Sequence, residues 1–419
     1  MPSSLRLLPP AKALTSAFVY QSLRVGNCQM LSVLRRARKS LGHLALVAAT
    51  AVLAACVPGG GLSPSGGSGS GAIQVALLVP GGSGQLSDEV LAKSLENAAR
   101  LAMGDLQNVE IDLRVYNTAG SPSQAAAQAQ KAVAEGAQVI LGPVFAQEAN
   151  AAGVAVAASG VNVLSFSNNP DIAGNNVFVL GPTFDNTAAR LASFAVRQGK
   201  GNIMIVHDRN TAGTIGRAAI ERGVRATGGT VVSVGNYEFS QNGVVSAAPA
   251  LVRTARETGA QAVFMTADSS GALPLISQLL VDNGLSSADA QFIGLTRWDI
   301  PAATLGLPGV QGGWFALPDP ALFAQFQNRF TAAYAEAPHP IAGLAYDGIA
   351  AVGALSRSSL RGPLPRDALT QSAGFVGVNG IFRLLEDGKN ERGLAVAQIK
   401  DGQAVIIDSA PRSFAGPGF

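Results

Sequence analysis

Residues 73–80 read IQVALLVP, a continuous apolar run that ends in a proline and is followed by two glycines. A run of this length is typical of a strand that is buried on both faces of a parallel sheet. Residues 88–106 follow with apolar side chains at helical spacing, among them Val90, Leu91 and Leu95. This spacing predicts a helix that packs on the sheet. The stretch therefore predicts the first strand–helix unit of an α/β fold.

The alternation of apolar runs and helical patterns continues along the chain and begins a second series after residue 183. Strands that are separated by helices of this length require crossover connections and parallel sheets covered on both faces. We therefore predict an α/β fold with two doubly wound parallel-sheet lobes joined by a hinge. The predicted boundaries are 73–183 plus 317–374 for lobe 1, 184–316 plus 375–409 for lobe 2, and 410–419 for a tail. Near the end, residues 380–385 and 395–400 read as a hairpin-like pair.

Residues 30–56 read MLSVLRRARKSLGHLALVAATAVLAAC, with basic residues followed by an apolar run from Leu44 to Ala55. That run has 12 residues, far fewer than the roughly 20 needed to span a bilayer, and is typical of a signal peptide. The small residues before Cys56 are similar to the lipobox of bacterial lipoproteins. We predict a signal peptide over 1–55, with Met30 as an alternative start, and a lipid on Cys56. An ordinary signal peptide followed by a chance cysteine is the other interpretation.

The predicted segment 56–72 begins with the cysteine that we expect to carry the lipid, and its Gly/Ser-rich residues 57–72 predict a flexible tether with a root-mean-square span of roughly 22 Å. By resemblance to enteric lipoproteins, Val57 in place of aspartate favours the outer membrane over the inner membrane. We therefore expect a body held on the periplasmic side of the cell envelope by its lipid.

The charge balance argues against a nucleic-acid partner. The whole chain has 30 basic and 27 acidic residues and a pI near 9.0, but residues 1–55 hold seven of the basic residues and no acidic one. The remainder has 23 basic and 27 acidic residues, whereas a nucleic-acid binder would carry a basic surface. Two cysteines and three histidines in the whole chain make a metal centre built from these residues improbable.

The sequence contains no recognisable catalytic or cofactor motif. GxxxxGK[ST], GxGxxG, SxxK and HExxH are all absent, and these patterns would indicate phosphate, dinucleotide, acyl-transfer or zinc chemistry. His207 beside Asp208 is a structural or cleft-lining residue in one interpretation and a general base in the other. We predict a protein that is not an enzyme and has no cofactor or metal.

Several strings resemble the type I periplasmic binding proteins of the leucine/isoleucine/valine-binding kind, over about residues 73–409. They occur in the family's order and are VILGPV (139–144), NVLSFSNNP (162–170), IMIVHDRNTAG (203–213), LAYDGIAAVGAL (344–355) and GVNGIFRLLEDG (377–388). The lipoprotein leader, the short tether and the Ala/Gly-rich body resemble the penicillin-binding protein activator branch. That resemblance implies contact with a peptidoglycan synthase.

The carboxyl ends of the strands in such folds face the crevice where a ligand binds. This position and the resemblance together give nine candidate cleft-lining residues. They are Gly142, Phe145, Ser165, Ser167, Asp208, Ala212, Asp268, Trp298 and Tyr346.

The candidate site departs from the pattern of the amino-acid binders that it resembles. The hydroxyl expected after Gly142-Pro143 is absent, Ala212 replaces a stacking aromatic ring, and Asp299 matches the ammonium partner only after a shift of register. Ser165 and Ser167 retain the paired hydroxyls. Because a buried zwitterion needs both charges met, these changes predict weak capture of amino acids.

Some candidates have a second interpretation. Ser165 and Ser167 could cap the turn at residues 168–170, and Trp298 could be a core residue. By the resemblance, Tyr346 lies near the hinge and would position other residues rather than touch a ligand.

Two functions follow from these observations. The first is a non-catalytic envelope lipoprotein that regulates peptidoglycan synthesis through protein contact. The alternative is an ABC-transporter solute-binding protein for branched-chain amino acids, amides or similar small ligands. An envelope hydrolase is a third class, which no constellation of residues supports.

Overall fold

The computed structural model describes residues 71–356 and 362–415. The predicted signal peptide (1–55), Cys56, nearly all of the predicted tether and residues 416–419 of the predicted tail lie outside these ranges. Within them, no helix combines the length and the apolar composition that a membrane crossing requires.

The first sheet is parallel and contains β1 (Ile73–Val79), β2 (Ile111–Asn117), β3 (Val139–Leu141), β4 (Asn162–Ser165) and β5 (Val177–Val179). Its strand order is β2-β1-β3-β4-β5. The helices of this series are α1 (Leu86–Asp105), α2 (Pro122–Ala134) and α3 (Ala146–Val156). Alternate side chains of β1 enter two separate apolar clusters, with Leu77 in one and Leu78 in the other. The opening apolar run is thus a strand buried on both faces, as its sequence predicts.

The second sheet contains five strands that pair in parallel, β6 (Asn202–Asp208), β7 (Thr230–Tyr237), β8 (Ala262–Met265), β9 (Gln291–Gly294) and β10 (Trp314–Leu317). Two antiparallel strands from the end of the chain, Ala395–Lys400 and Gln403–Asp408, extend it beyond β10. The helices around this sheet are α4 (Phe184–Arg197), α5 (Thr211–Ala226), α6 (Gln241–Glu257) and α7 (Leu273–Asp282). This sheet and its helices form the second lobe.

The chain then returns to the first lobe with α8 (Pro320–Tyr334), α9 (Gly343–Leu355), α10 (Arg366–Leu369) and a small antiparallel sheet. The strands of that sheet are β11 (Phe375–Gly377), β12 (Gly380–Leu384) and β13 (Asn390–Arg392). Phe326, Ile349 and Phe382 from these elements belong to the apolar cluster that covers one face of the first sheet. The chain therefore crosses between the lobes three times: after β5, after β10 and after β13.

The structure corrects the predicted pairing near the end of the chain. Residues 380–384 pair with β13 through the turn at Asp387–Gly388, whereas β14 (Ala395–Lys400) pairs with β10 and with β15 (Gln403–Asp408). The segment 375–409, which we assigned to lobe 2 as a whole, is divided between the two cores. Local patterns identify strands, but only long-range packing selects the neighbour of each strand.

Candidate functional site

A cavity of about 350 Å³ lies at the carboxyl ends of β3, β4 and β5, and we name it the lobe-1 cavity. The loops that follow these strands form most of its wall, and the segment around the start of α9 completes it. Its lining residues are Val144, Phe145, Ala146, Phe166, Ser167, Asn168, Asn169, Pro182, Ile341 and Leu344.

A second cavity, of about 290 Å³, receives wall residues from all three crossovers, and we name it the hinge cavity. Its apolar lining residues are Pro182, Phe184, Leu295, Ile300, Ala316, Leu317, Pro318, Pro340, Ile341, Leu344 and Leu394. Its polar lining residues are Thr183, Thr187, Thr296, Arg297, Asn379 and Arg392.

The two cavities adjoin, because Pro182, Ile341 and Leu344 line both of them. Neither cavity has an aspartate or a glutamate among its described lining residues. The crevice between the lobes therefore offers a mostly apolar space with hydrogen-bond donors and neutral polar groups, but without an acidic side chain to meet a ligand ammonium.

Side chains of β13 hold the first and third crossovers together. Asn390 donates from Nδ2 to the carbonyl oxygens of Val179 (2.6 Å) and Gly181 (2.9 Å). Arg392 donates from Nε to the carbonyl oxygen of Leu180 (2.8 Å). These bonds satisfy carbonyl groups at the end of β5 and in the first crossover, and they fix the two crossovers to each other.

Helix α4 holds the same segment from the side of the second lobe. Asn186 Nδ2 donates to the Asn390 carbonyl oxygen (2.8 Å), and Arg190 Nε donates to the Leu394 carbonyl oxygen (2.6 Å). Residues 390–394 are therefore bonded to both lobes within five residues of chain.

A buried ion pair supports this arrangement from α9. Arg392 Nη1 lies 3.2 Å from Asp347 Oδ2, and their side chains are 3% and 0% exposed. Asp347 also accepts from the Val378 backbone N–H (2.8 Å) and from Asn379 Nδ2 (3.0 Å). Burial raises the pKa of Asp347 and lowers the pKa of Arg392, and the attraction between the two charges opposes both shifts.

Sequence reasoning missed Arg392 and Asn379. The sequence does contain a sign that Asp347 has a buried partner, because Asp347 is the only charged residue in the apolar helical segment 341–355. A carboxylate buried on such a helix requires a cationic or hydrogen-bonding partner. Which residue supplies that partner depends on a contact across 45 positions of sequence.

Phe145, one of the predicted cleft-lining residues, lines the lobe-1 cavity. The backbone conformation at Gly142 positions the loop that carries it. The Gly142 φ angle is +83°, and a Cβ there would lie 2.3 Å from the Leu78 carbonyl oxygen. Only glycine lets this loop approach β1 so closely. The loop then presents Phe145, which is 41% exposed, at the lobe-1 cavity.

The paired hydroxyls of Ser165 and Ser167 are engaged by local backbone groups. Ser165 Oγ donates to the Pro143 carbonyl oxygen (2.9 Å) and accepts from the Ser167 N–H (3.1 Å). Ser167 Oγ accepts from the Asn169 N–H (3.1 Å). Both hydroxyls thus stabilise turns, and Ser167 also lines the lobe-1 cavity.

The predicted residues of the second lobe lie at the carboxyl ends of its strands but line neither cavity. Both oxygens of buried Asp208 are occupied, because Thr266 donates to one (2.7 Å) and Asn210 to the other (2.6 Å). Ala212 is exposed on the first turn of α5. Asp268 is exposed and accepts from the Ser270 hydroxyl (2.9 Å).

The prediction that Trp298 and Tyr346 line the cleft is wrong. Trp298 is fully buried in the apolar cluster of the second sheet, where large apolar rings gain most from burial. Tyr346 donates its hydroxyl to Asp105 at the end of α1 and packs edge-on against Phe326 of α8. Neither ring reaches the two cavities.

Asp299, the candidate ammonium partner, is paired within its own loop. Arg297 donates to it from Nε (2.6 Å) and from Nη2 (2.5 Å), which is a bidentate arrangement. Arg297, and not Asp299, lines the hinge cavity. The loop after β9 therefore brings N–H donors to the site.

Two doubly wound α/β lobes, three crossovers and a crevice with two adjoining cavities define a two-lobed binding-protein fold. Residues 72–404 match the family described as periplasmic binding protein, and the chain belongs to this family. Membership implies a periplasmic location. A comparison with curated protein sequences finds no match.

Solved structures share this fold at low sequence identity. A branched-chain amino acid ABC transporter periplasmic ligand-binding protein from Burkholderia xenovorans LB400 has a TM-score of 0.62 and 17% identity, over 81% of this chain and 96% of that one. An ABC transporter substrate-binding protein from Desulfitobacterium hafniense in complex with Leu has a TM-score of 0.58 and 20% identity, over 80% and 100% of the two chains. A solute-binding protein from R. palustris in complex with benzoate has a TM-score of 0.53 and 19% identity, over 83% and 98%.

Proposed function

We propose that this chain is the solute-binding protein of an ABC transporter and that its crevice binds a small organic ligand. The observation that carries this proposal is the pair of adjoining cavities at the carboxyl ends of the strands, with volumes of about 350 and 290 Å³. Ligand sites of folds in this class occur at that edge of the sheets, and mostly apolar walls with a few polar groups are typical of such sites. The named ligands of the related structures, leucine and benzoate, support a small organic solute.

The scaffold function, which we favoured from the sequence, receives less support. A protein that acts only through its outer surface has no need of an open crevice, and side chains would be expected to fill it. The weakened amino-acid pattern, which suggested a scaffold, is equally expected of a binder whose ligand is not an amino acid.

Isothermal titration of the purified full-length protein with amino acids and small carboxylates tests the proposal. We expect micromolar binding of at least one ligand and a loss of about tenfold or more in Ile341→Trp, because Ile341 lines both cavities. Ile406→Trp is the matched control, since Ile406 lies on β15 and lines neither cavity. An absence of heat with the whole panel, together with recovery of a peptidoglycan synthase from envelope extracts, would restore the scaffold function.

We further propose that a lipid on Cys56 anchors the protein to the periplasmic face of the outer membrane. The basic segment, the short apolar run and the small residues before Cys56 support this proposal. Mass analysis of the N-terminal peptide should show a diacylglycerol adduct on Cys56, and Cys56→Ser should release the protein into the soluble fraction. An unmodified Cys56 in the wild-type protein would contradict the anchor.

A further inference from the structure

The last described residues, 409–415, leave the second lobe and return to the first, and we name them the C-terminal strap. Their start is fixed to the second lobe. Buried Arg190 of α4 donates from Nη2 to the Ser409 carbonyl oxygen (3.3 Å) and pairs with Asp408 at the end of β15 (2.9 Å). Ala410 then packs into the apolar cluster of the second sheet, where it is 9% exposed.

The far end of the strap packs on the small antiparallel sheet of the first lobe. The Arg383 guanidinium of β12 lies over the Phe414 ring, with 4.6 Å between the guanidinium carbon and the ring centroid. A Cβ added at Gly374, just before β11, would lie 2.7 Å from Phe414 Cε2, so the ring also packs closely against this glycine. Between the two ends, the strap passes the third crossover, because a Cβ at Gly393 would lie 3.0 Å from the Pro411 carbonyl oxygen.

The contact at Phe414 leads to the residues that hold the hinge. Arg383 also pairs with Glu391 of β13, with 2.5 Å between Nη2 and Oε2. Glu391 lies between Asn390 and Arg392, whose side chains bind the carbonyl groups of the first crossover. The strap therefore joins the edge strand of the second lobe to the strand that fixes the crossovers to each other.

We propose that the C-terminal strap restrains the rotation of the two lobes and thereby limits how often the crevice between them opens. A rotation moves β15 relative to β12, so it must break the contact of Phe414 with Arg383 or stretch the few residues between. Pro411, whose ring fixes its φ angle, leaves the strap little slack. A cation–π contact at an exposed site changes an equilibrium constant by a factor of about two to five, and the packing of the half-buried ring adds to this factor.

Maleimide labelling of a cysteine placed in the crevice measures this opening without a ligand, so the result is independent of the proposed function. Leu344→Cys is suitable in the full-length protein with Cys28→Ser and Cys56→Ser, because Leu344 lines both cavities and is only 3% exposed. When the lobes reclose faster than the thiol reacts, the labelling rate is proportional to the equilibrium constant for opening. Phe414→Ala should raise this rate about threefold or more, whereas Phe414→Trp, which keeps an aromatic face for Arg383, should leave it within about twofold of the starting rate.

Two controls separate the strap from a general loss of structure. Val405→Ala removes an apolar group from β15, where Val405 is 41% exposed, and should leave the labelling rate unchanged. Ser94→Cys on α1 lies in the same lobe as Leu344, and Ser94 is 5% exposed and lines neither cavity, so its labelling reports unfolding of that lobe. The proposal is overturned if Phe414→Ala leaves the labelling of Leu344→Cys unchanged, if it raises the labelling of Ser94→Cys equally, or if Val405→Ala has the same effect.

Discussion

Replacement of Asp347 by asparagine is expected to destabilise the protein strongly, because it leaves the Arg392 guanidinium as an unpaired charge at the hinge. Asp347 is fully buried and Arg392 is 3% exposed, so water solvates the remaining charge poorly. Asparagine keeps the size of the side chain and an acceptor for the Val378 N–H, and the substitution therefore changes mainly the charge.

Removal of one partner from a buried ion pair costs about 3–5 kcal/mol, and the burial of this pair places it in that range. The exposed pair Glu96–Arg100 of α1 is the matched control, and Glu96→Gln should cost only about 0.3–0.5 kcal/mol. The double variant Asp347→Asn/Arg392→Met leaves no unpaired charge. Its loss in free energy of unfolding should therefore be smaller, by about 2 kcal/mol, than the sum of the losses in the two single variants.

Urea unfolding followed by circular dichroism measures these differences, with an unchanged m value as the condition for comparing midpoints. Binding of the tightest ligand from the titration panel to each folded variant reports separately whether the crevice keeps its shape. A loss below about 1 kcal/mol in Asp347→Asn, or simple additivity in the double variant, would refute the view that this pair holds the hinge.

Two further predictions concern the first lobe. Glu148 is 1% exposed and burial raises its pKa, so stability should fall as the pH rises from the pKa of glutamate in the unfolded chain, about 4.3, through the raised pKa of the folded protein. Glu148→Gln should remove this pH dependence and gain about 1.4 kcal/mol per unit of pKa elevation at a pH above the raised pKa, as measured by urea unfolding from about pH 4 to 8. Wild-type stability that is flat over this range would contradict the prediction. Gly142→Ala should cost about 3 kcal/mol or more, whereas Gly199→Ala should cost about 1 kcal/mol: both glycines have positive φ, but only a Cβ at residue 142 meets the backbone of β1. Equal losses in thermal melts of the two variants would exclude the predicted clash.

Most of the fold was predictable because its information is local. The run IQVALLVP is apolar without interruption, and this pattern arises when both faces of a strand are covered, as Leu77 and Leu78 show from opposite sides of β1. The predicted pairing of residues 380–384 with residues 395–400 was wrong, because the strand at 390–392 is an equally suitable neighbour by local pattern.

The candidate site was predictable only in part. Loops at the carboxyl ends of strands include Phe145 and Ser167, which line the lobe-1 cavity, but also Asp208, whose oxygens are occupied within its own lobe. Position along a strand identifies the edge of the sheet, and the packing of neighbouring loops then determines which side chains remain accessible to a ligand.

By itself, the sequence determined the two α/β series and the absence of the recognised catalytic motifs, since each of these is expressed over a few adjacent residues. Only the tertiary structure decided that Thr187, Arg297, Leu344 and Arg392 share one cavity, and that Asp347 finds its counter-charge in β13. The physical reason is that a hinge cavity is enclosed by segments far apart in the chain. Their meeting depends on how two complete cores pack, and no local pattern records it.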